Sequence, residues 1–169
     1  MQYTAAKIFS KERFTIEDHA GTRQFEVHRI YGLDGNSLSL RDLDGKELAA
    51  IKPRHAPARF EISTSAQVIT VHHNGWFGRR YSIDGPLGEL STTVSDFGAQ
   101  SYELIGGDRP RAIVSRPQIS QQSITIDVPD GEDVVSLLAV VLAIETIRDD
   151  RRQAQDSIPY VRLILRLIN

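Results

Sequence analysis

The sequence predicts a mainly β protein, a closed antiparallel barrel of about twelve strands around a central hydrophobic α-helix. Three observations support this fold class. Short segments of alternating apolar and polar residues recur between residues 3 and 128, separated by turns rich in Asp and Gly. Turns recur about every 22 residues, marked by glycine except near Ala66, which indicates one hairpin per unit. One long apolar segment, residues 134–147, follows the last unit.

The repeated unit reads as strand, turn, strand. Clear examples are FTIEDHAGTRQFEV at 14–27, SLSLRDLDGKELAAIK at 37–52 and YSIDGPLGELSTTV at 81–94. Period-2 alternation bounded by Asp and Gly is typical of half-buried strands in hairpins. Six such units with no intervening helix predict an antiparallel sheet of up to about twelve strands. A sheet this wide rarely stays open, because its edges would be exposed and its twist accumulates, so we expect it to close.

The segment 134–147 is apolar at all but three positions and has no polar stripe before Glu145. A helix that is apolar on every side must be enclosed by protein or by lipid. This segment is shorter than the roughly 20 residues that span a bilayer. We therefore expect a helix over 132–153 inside the barrel, with Asp130 as its N-cap, which emerges from the barrel at Glu145.

The domain prediction is one barrel domain over 1–153 and a C-terminal tail over 154–169. Pro159 prevents simple continuation of the helix. Residues 160–168 are apolar apart from Arg162 and Arg166, whose spacing places them on one face of a helix or a strand. We expect the tail to dock on the barrel or on a second subunit, and the alternative is a short anchor at a membrane surface.

With these hairpin units and the closing segment DVVSLLAVVLAIETI, the chain resembles the LURP-one-related family. That family belongs to the tubby C-terminal-like superfamily, which also includes the phospholipid scramblases. The resemblance covers about residues 3–152 and implies a twelve-stranded barrel around a central helix. Tubby domains bind phosphoinositides through basic residues and scramblases act on phospholipids, so the resemblance implies a connection with lipid. It assigns no phosphoinositide-binding residue to a position of this sequence.

The composition narrows the function classes. The net charge is −2, which argues against general nucleic-acid binding, because such domains are usually strongly basic. The chain has no cysteine, and this excludes disulfides, thiolate nucleophiles and cysteine-ligated zinc. The first residues contain no apolar core of a signal peptide. We expect a cytoplasmic protein, with a peripheral position at the membrane as the alternative.

No catalytic or metal-binding motif stands out. The chain contains no Gly-x-Ser-x-Gly elbow, no phosphate-binding loop and no dinucleotide fingerprint. The histidines do not have the spacing of zinc or iron ligands, and neighbours in a strand point to opposite faces. We therefore predict a protein that is not an enzyme and that needs no metal or cofactor. The histidines are His19, His28, His55, His72 and His73.

The charge distribution carries the functional hypothesis. Residues 52–83 hold five basic residues against one acidic residue, whereas residues 84–133 hold three arginines against nine acidic residues. The only Trp and a Phe lie within this basic stretch, where an exposed aromatic pair beside cations would suit a lipid interface. The predicted anionic-headgroup site consists of Lys52, Arg54, Arg59, Arg79 and Arg80.

The hypothesis is therefore a non-catalytic binding or adaptor module that meets anionic phospholipid headgroups at a membrane surface. The alternative is a protein-interaction or scaffold barrel that oligomerises through residues 158–169. A carrier of small apolar ligands, like a lipocalin, is disfavoured because the predicted helix fills the lumen.

Overall fold

The computed structural model describes residues 1–6, 12–32, 35–54, 59–74, 80–94, 101–116 and 123–156. These residues form twelve strands and one helix. The strands are β1 (Gln2–Ala5), β2 (Arg13–Asp18), β3 (Arg23–Ile30), β4 (Ser37–Arg41), β5 (Glu47–Arg54), β6 (Arg59–Thr64), β7 (Val68–Asn74), β8 (Arg80–Asp84), β9 (Leu90–Val94), β10 (Ser101–Gly106), β11 (Arg109–Ser115) and β12 (Ile124–Asp127), and the helix is α1 (Val134–Asp156).

The twelve strands form a closed antiparallel barrel in chain order, which confirms the predicted fold class. Strand β1 pairs with β2 on one side and with β12 on the other, so the sheet closes on itself. Closure removes the exposed edges that an open sheet of this width would present. Register shifts in the β2–β3, β4–β5 and β10–β11 hairpins add local twist, which helps a sheet to curve.

The two ends of the barrel are built differently. The connections within the five hairpins from β2–β3 to β10–β11 are short and lie at one end, which we call the turn end. The five predicted turn glycines all lie there, with φ between 62° and 84°, a backbone region that favours glycine. We call the opposite end the exit end, because α1 starts at the turn end and runs toward it. The turn glycines are Gly21, Gly45, Gly88, Gly107 and Gly131.

The core lies between the barrel wall and α1. Alternate residues of each strand point inward, as Phe14 and Ile16 do in β2, and these side chains are buried. Every residue of α1 from 137 to 144 is 0% exposed. The helix contacts β5, β6 and β7 and also β11, which lies six strands away from β5 on the opposite wall. The helix therefore occupies the lumen, as the apolar segment predicted.

The N-cap of α1 is Asp133, and the prediction of Asp130 was wrong. The Asp133 carboxylate accepts a hydrogen bond from the backbone N–H of Ser136 at 3.1 Å, which is the capping geometry. The Asp133 carbonyl also accepts the first helical hydrogen bond, from Leu137. Gln67, in the β6–β7 turn, donates to both the Asp133 carboxylate and the Ser136 hydroxyl, so the barrel wall holds the start of the helix.

The helix also leaves the barrel later than predicted. It was expected to cover 132–153 and to emerge at Glu145, yet Glu145 is 0% exposed and Ile147 is still buried. The Glu145 carboxylate can be enclosed because buried side chains, rather than water, are its hydrogen-bond partners. Residues 154–156 belong to the helix, and the rest of the predicted tail, 157–169, lies outside the described residues.

No helix in the part of the chain described here combines the length and the apolar character needed to cross a bilayer.

We expect Leu138→Asp to abolish cooperative folding. Leu138 is 0% exposed inside the barrel, where an unpaired carboxylate would cost several kcal/mol of a total stability of about 5–15 kcal/mol. Urea unfolding followed by circular dichroism measures the effect. Leu43→Asp is the matched control, since Leu43 is 56% exposed in a turn. A Leu138→Asp protein as stable as the control would contradict the enclosure of α1.

We expect Asp133→Ala to lower the free energy of unfolding by about 1–2 kcal/mol, because it removes the cap of α1. The same change at Asp130 is the control and should have a much smaller effect, since that side chain is 96% exposed. Urea denaturation of both variants checks the assignment. A larger loss at Asp130 would restore the capping role predicted from the sequence.

Candidate functional site

A cluster of buried charges lies where α1 approaches the exit end. The Glu145 carboxylate is fully buried and binds two guanidinium groups. Arg116 donates through Nη2 to Glu145 Oε2, and Arg148 donates through Nη1 to Glu145 Oε1 at 3.2 Å. Each carboxylate oxygen therefore has its own arginine partner.

Local structure explains how these side chains meet. Glu145 and Arg148 are three residues apart on α1, so they share a face of the helix. Arg116 directly follows β11, in which Ala112 and Val114 point inward, and the same alternation directs Arg116 into the lumen. The barrel wall thus delivers one guanidinium and the helix delivers the carboxylate and the second guanidinium.

Tyr102 of β10 completes the cluster. The guanidinium carbon of Arg148 lies 5.1 Å from the centroid of the Tyr102 ring, within cation–π range. Tyr102 is 3% exposed, and its hydroxyl has no hydrogen-bond partner among the described residues. Burial raises the pKa of the Tyr102 hydroxyl well above its ordinary value, and the charge of Glu145 raises it further. The hydroxyl therefore stays protonated and is available as a donor.

The polar lining continues around the wall over β7, β8 and β9. His73 and Tyr81 make an edge-on ring contact with centroids 5.0 Å apart, and the Thr92 hydroxyl accepts the Tyr81 N–H at 2.9 Å. His72 points outward and lies 3.3 Å from Asp84, so the two neighbouring histidines do face opposite sides of the sheet as predicted. One side of the lumen at the exit end is therefore polar, over adjacent strands from β7 to β11.

The chemistry open to this cluster is binding. It offers positive charge and hydrogen-bond donors, and Arg116 Nε is a second buried donor with no partner in the described part of the chain. Charged groups in a low-dielectric interior must be compensated by partners, so each of these contacts is energetically costly to lose. The described residues contain no group of three or more His, Asp and Glu side chains that could hold a metal ion.

The structure brings together three of the five cations predicted from the sequence. Arg54 of β5 lies directly opposite Arg59 of β6, and Lys52 lies opposite Glu61 two pairs further along the hairpin. All three cations are exposed on the outer surface, and the arginine pair lies at the exit end. We call Lys52, Arg54, Arg59 and Glu61 the basic patch.

The remaining predicted site residues are only partly covered. Arg80 is the first residue of β8 and pairs with Asn74 through the backbone, but its side chain lies outside the described part. Arg79 lies outside the described residues, as do Trp76 and Phe77.

Glu61 lowers the net positive charge of the basic patch. Arg54 donates from Nε to Glu61 Oε2 at 3.1 Å and from Nη2 to Oε1 at 2.5 Å, a paired contact. The hydrogen bond from Arg54 lowers the pKa of Glu61, and the charges of Arg59 and Lys52 lower it further. Three cations and one carboxylate leave a local charge of +2, smaller than the excess counted over 52–83.

A family model described as LURP-one-related matches residues 3–145, which include all twelve strands except the first residue of β1 and most of the buried part of α1. The chain belongs to the LURP-one-related family. Among solved structures, the X-ray structure of a protein from Arabidopsis thaliana matches with a TM-score of 0.63 and 14% sequence identity. The match covers 87% of this chain and 91% of that chain, and at this identity it shows a shared fold. The search of curated proteins gave no significant match.

The buried cluster of this LURP-one-related barrel was missed by sequence reasoning. Glu145 was read as the point where α1 reaches solvent, and Arg148 as a solvated charge at the helix end. Arg116 was counted within an acidic region and Tyr102 was assigned to a strand. The one available signal was Glu145 itself, a carboxylate between Ile144 and Ile147 in a segment that is otherwise enclosed.

We expect Glu145→Gln to lower the free energy of unfolding by about 3–5 kcal/mol, because a neutral amide removes the buried negative charge that both guanidinium groups bind. Glu61→Gln is the matched control. It also removes a carboxylate bound by an arginine, but at the surface, and should change stability little. Guanidinium chloride unfolding compares the two. Equal effects would show that burial does not govern the Glu145 contacts.

Proposed function

We propose that this protein is a non-catalytic binding module whose basic patch meets anionic phospholipid headgroups at a membrane surface. The observation that carries the proposal is the cross-strand pairing of Arg54 with Arg59 at the exit end, with Lys52 beside them. Cations near an anionic membrane each contribute on the order of 1 kcal/mol of attraction. The proposal implies a cytoplasmic protein that lies peripherally at the membrane.

Exposed apolar side chains near the basic patch support an orientation in which the exit end faces the membrane. Ile30 is 52% exposed and Tyr31 is 62% exposed, at the exit end of β3. Strand β3 is separated from β5 only by β4, so these side chains lie about 10 Å from the outer face of β5. Aromatic and aliphatic groups beside cations suit the boundary between headgroups and acyl chains. The exit end is thus the end we expect to face the membrane.

Two features favour binding over chemistry. The buried charges at the exit end pair arginines with a carboxylate and place no nucleophile beside a base. The basic patch contains cations and one glutamate that is already bound to Arg54. The exposed cations of the basic patch supply electrostatic attraction, which is what recognition of an anionic surface requires.

Removal of charge from the patch should weaken membrane binding. For Lys52→Ala/Arg59→Ala we expect the affinity for vesicles containing phosphatidylserine to fall on the order of thirtyfold, with the Arg54–Glu61 contact intact. Vesicle co-sedimentation at low and high salt measures it, since surface attraction is screened within about 10 Å at 0.1 M salt. The matched control is Arg23→Ala/Lys46→Ala, which removes one exposed arginine and one exposed lysine at the turn end.

Glu61→Gln supplies the opposite change. It raises the charge of the basic patch from +2 to +3, and we expect binding to phosphatidylserine vesicles to tighten about fivefold. Neutral phosphatidylcholine vesicles should bind neither the wild type nor any variant. The proposal fails if sedimentation is the same with both lipids, or if the patch variant and the turn-end control behave alike.

A further inference from the structure

The outer face of the barrel carries a titratable side chain directly beside the basic patch. His72 of β7 lies opposite Arg59 of β6, which in turn lies opposite Arg54 of β5. Directly opposed residues on neighbouring antiparallel strands have Cβ atoms about 5 Å apart, so the three side chains form one row across the sheet. All three point outward at the exit end, whereas the next residues along β7 and β6, Val71 and Phe60, are buried.

Charged groups of both signs face His72 from the strands on either side. On β6 these are Arg59, directly opposite, and Glu61, one diagonal step away. On β8 the Asp84 carboxylate lies 3.3 Å from His72 Nε2, and its side chain is well exposed. The uncharged outward neighbours among the described side chains are Ser82 on β8 and Thr70 on β7 itself. The protonation state of the imidazole therefore decides how positive this part of the surface is.

Protonation of His72 changes the net charge of this surface by a large fraction. With Asp84 counted beside the basic patch, three cations and two carboxylates give a charge of +1 while the imidazole is neutral. A protonated imidazole raises this charge to +2. Histidine is the side chain that ordinarily titrates between about pH 5 and 8, so modest acidification is enough for the change. A more positive surface attracts an anionic membrane more strongly.

We propose that protonated His72 is a headgroup-contacting member of the basic patch, so that acidification strengthens binding to anionic phospholipid. The inference rests on the proposed membrane function and adds its regulation by pH. The row places the imidazole about 5 Å from Arg59 and about 10 Å from Arg54, on the same outer surface. The His72 side chain is 33% exposed, so its charge faces the same solvent layer as the two guanidinium groups.

A purely structural contact between His72 and Asp84 is the competing explanation. Ion pairs at a protein surface contribute little to stability, and both of these side chains are partly exposed. This explanation predicts that substitution of His72 leaves the pH dependence of vesicle binding unchanged. The two explanations therefore differ in a binding profile that stability measurements do not replace.

The test is vesicle co-sedimentation of the full-length protein at about pH 7.5 and about pH 5.5, at constant ionic strength. The vesicles contain phosphatidylglycerol in phosphatidylcholine, because the phosphodiester of phosphatidylglycerol keeps one negative charge over this range. We expect wild-type affinity to increase about fivefold on acidification, the effect of one added charge near an anionic membrane. His72→Gln should bind as the wild type does at the higher pH and should lose the increase at the lower pH.

His72→Lys supplies the matching permanent charge. It should bind about fivefold more tightly than the wild type at about pH 7.5 and gain nothing on acidification. His19→Gln is the matched control: His19 is also exposed and also neighbours a carboxylate, that of Asp18, but it lies in the β2–β3 turn at the turn end. That variant should keep the wild-type pH dependence. Melting curves followed by circular dichroism confirm that all three variants are folded at both pH values.

The outcomes separate this inference from the proposed function. Binding that depends on Lys52 and Arg59 but not on pH leaves the membrane function in place and shows that His72 is not part of the site. A pH dependence that survives His72→Gln, or that appears equally with phosphatidylcholine alone, also overturns the inference. Absence of binding to the anionic vesicles at both pH values overturns both proposals together.

Discussion

The enclosure of the all-round apolar part of α1 is the constraint on which the rest of the structure depends. Residues 137–144 have no solvent-exposed side, so they require apolar partners in every direction. A helix with its side chains is about 10 Å across, and an eight-stranded barrel has room only for its own inward side chains. Twelve strands provide the larger circumference that a helix needs. The barrel in turn needs the helix, because an empty lumen of that width would leave its inward residues without packing partners.

Apolar packing alone would not fix how far α1 extends along the barrel, since van der Waals contacts have little directionality. The charged contacts supply that information from β11 and the residue directly after it. Near the turn end, Arg111 lies 2.6 Å from Glu132, and near the exit end Arg116 binds Glu145. Residues 111 and 116 are about 17 Å apart along the wall, and α1 from its first residue to Glu145 is also about 17 Å long, so the two pairs match in spacing. The polar groups thus determine the axial position of the helix, and the apolar groups determine that it is enclosed.

The turn end was predictable from sequence and the exit end was not, for a physical reason. Tight turns need glycine at positive φ, and strands alternate with period 2, so both leave a local pattern. The contact between Arg116 and Glu145 joins residues 29 apart, one after a strand and one on the helix, and no local pattern records it. The charge count over residues 52–83 likewise took no account of contacts in the folded structure. It predicted the cations of β5 and β6, but cross-strand geometry brings Glu61 among them.

The exit end carries two groupings of similar composition in different dielectric surroundings. On the surface, Arg54 and Arg59 lie beside Glu61, and inside, Arg116 and Arg148 lie beside Glu145. The outer charges are screened by salt within about 10 Å, so their attraction to an extended anionic surface is weak and short-ranged. The inner charges are desolvated, so each contact is stronger and depends on exact geometry. The outer grouping therefore matches the proposed attraction of the barrel to an anionic surface, whereas the inner grouping fixes the position of α1 within the barrel.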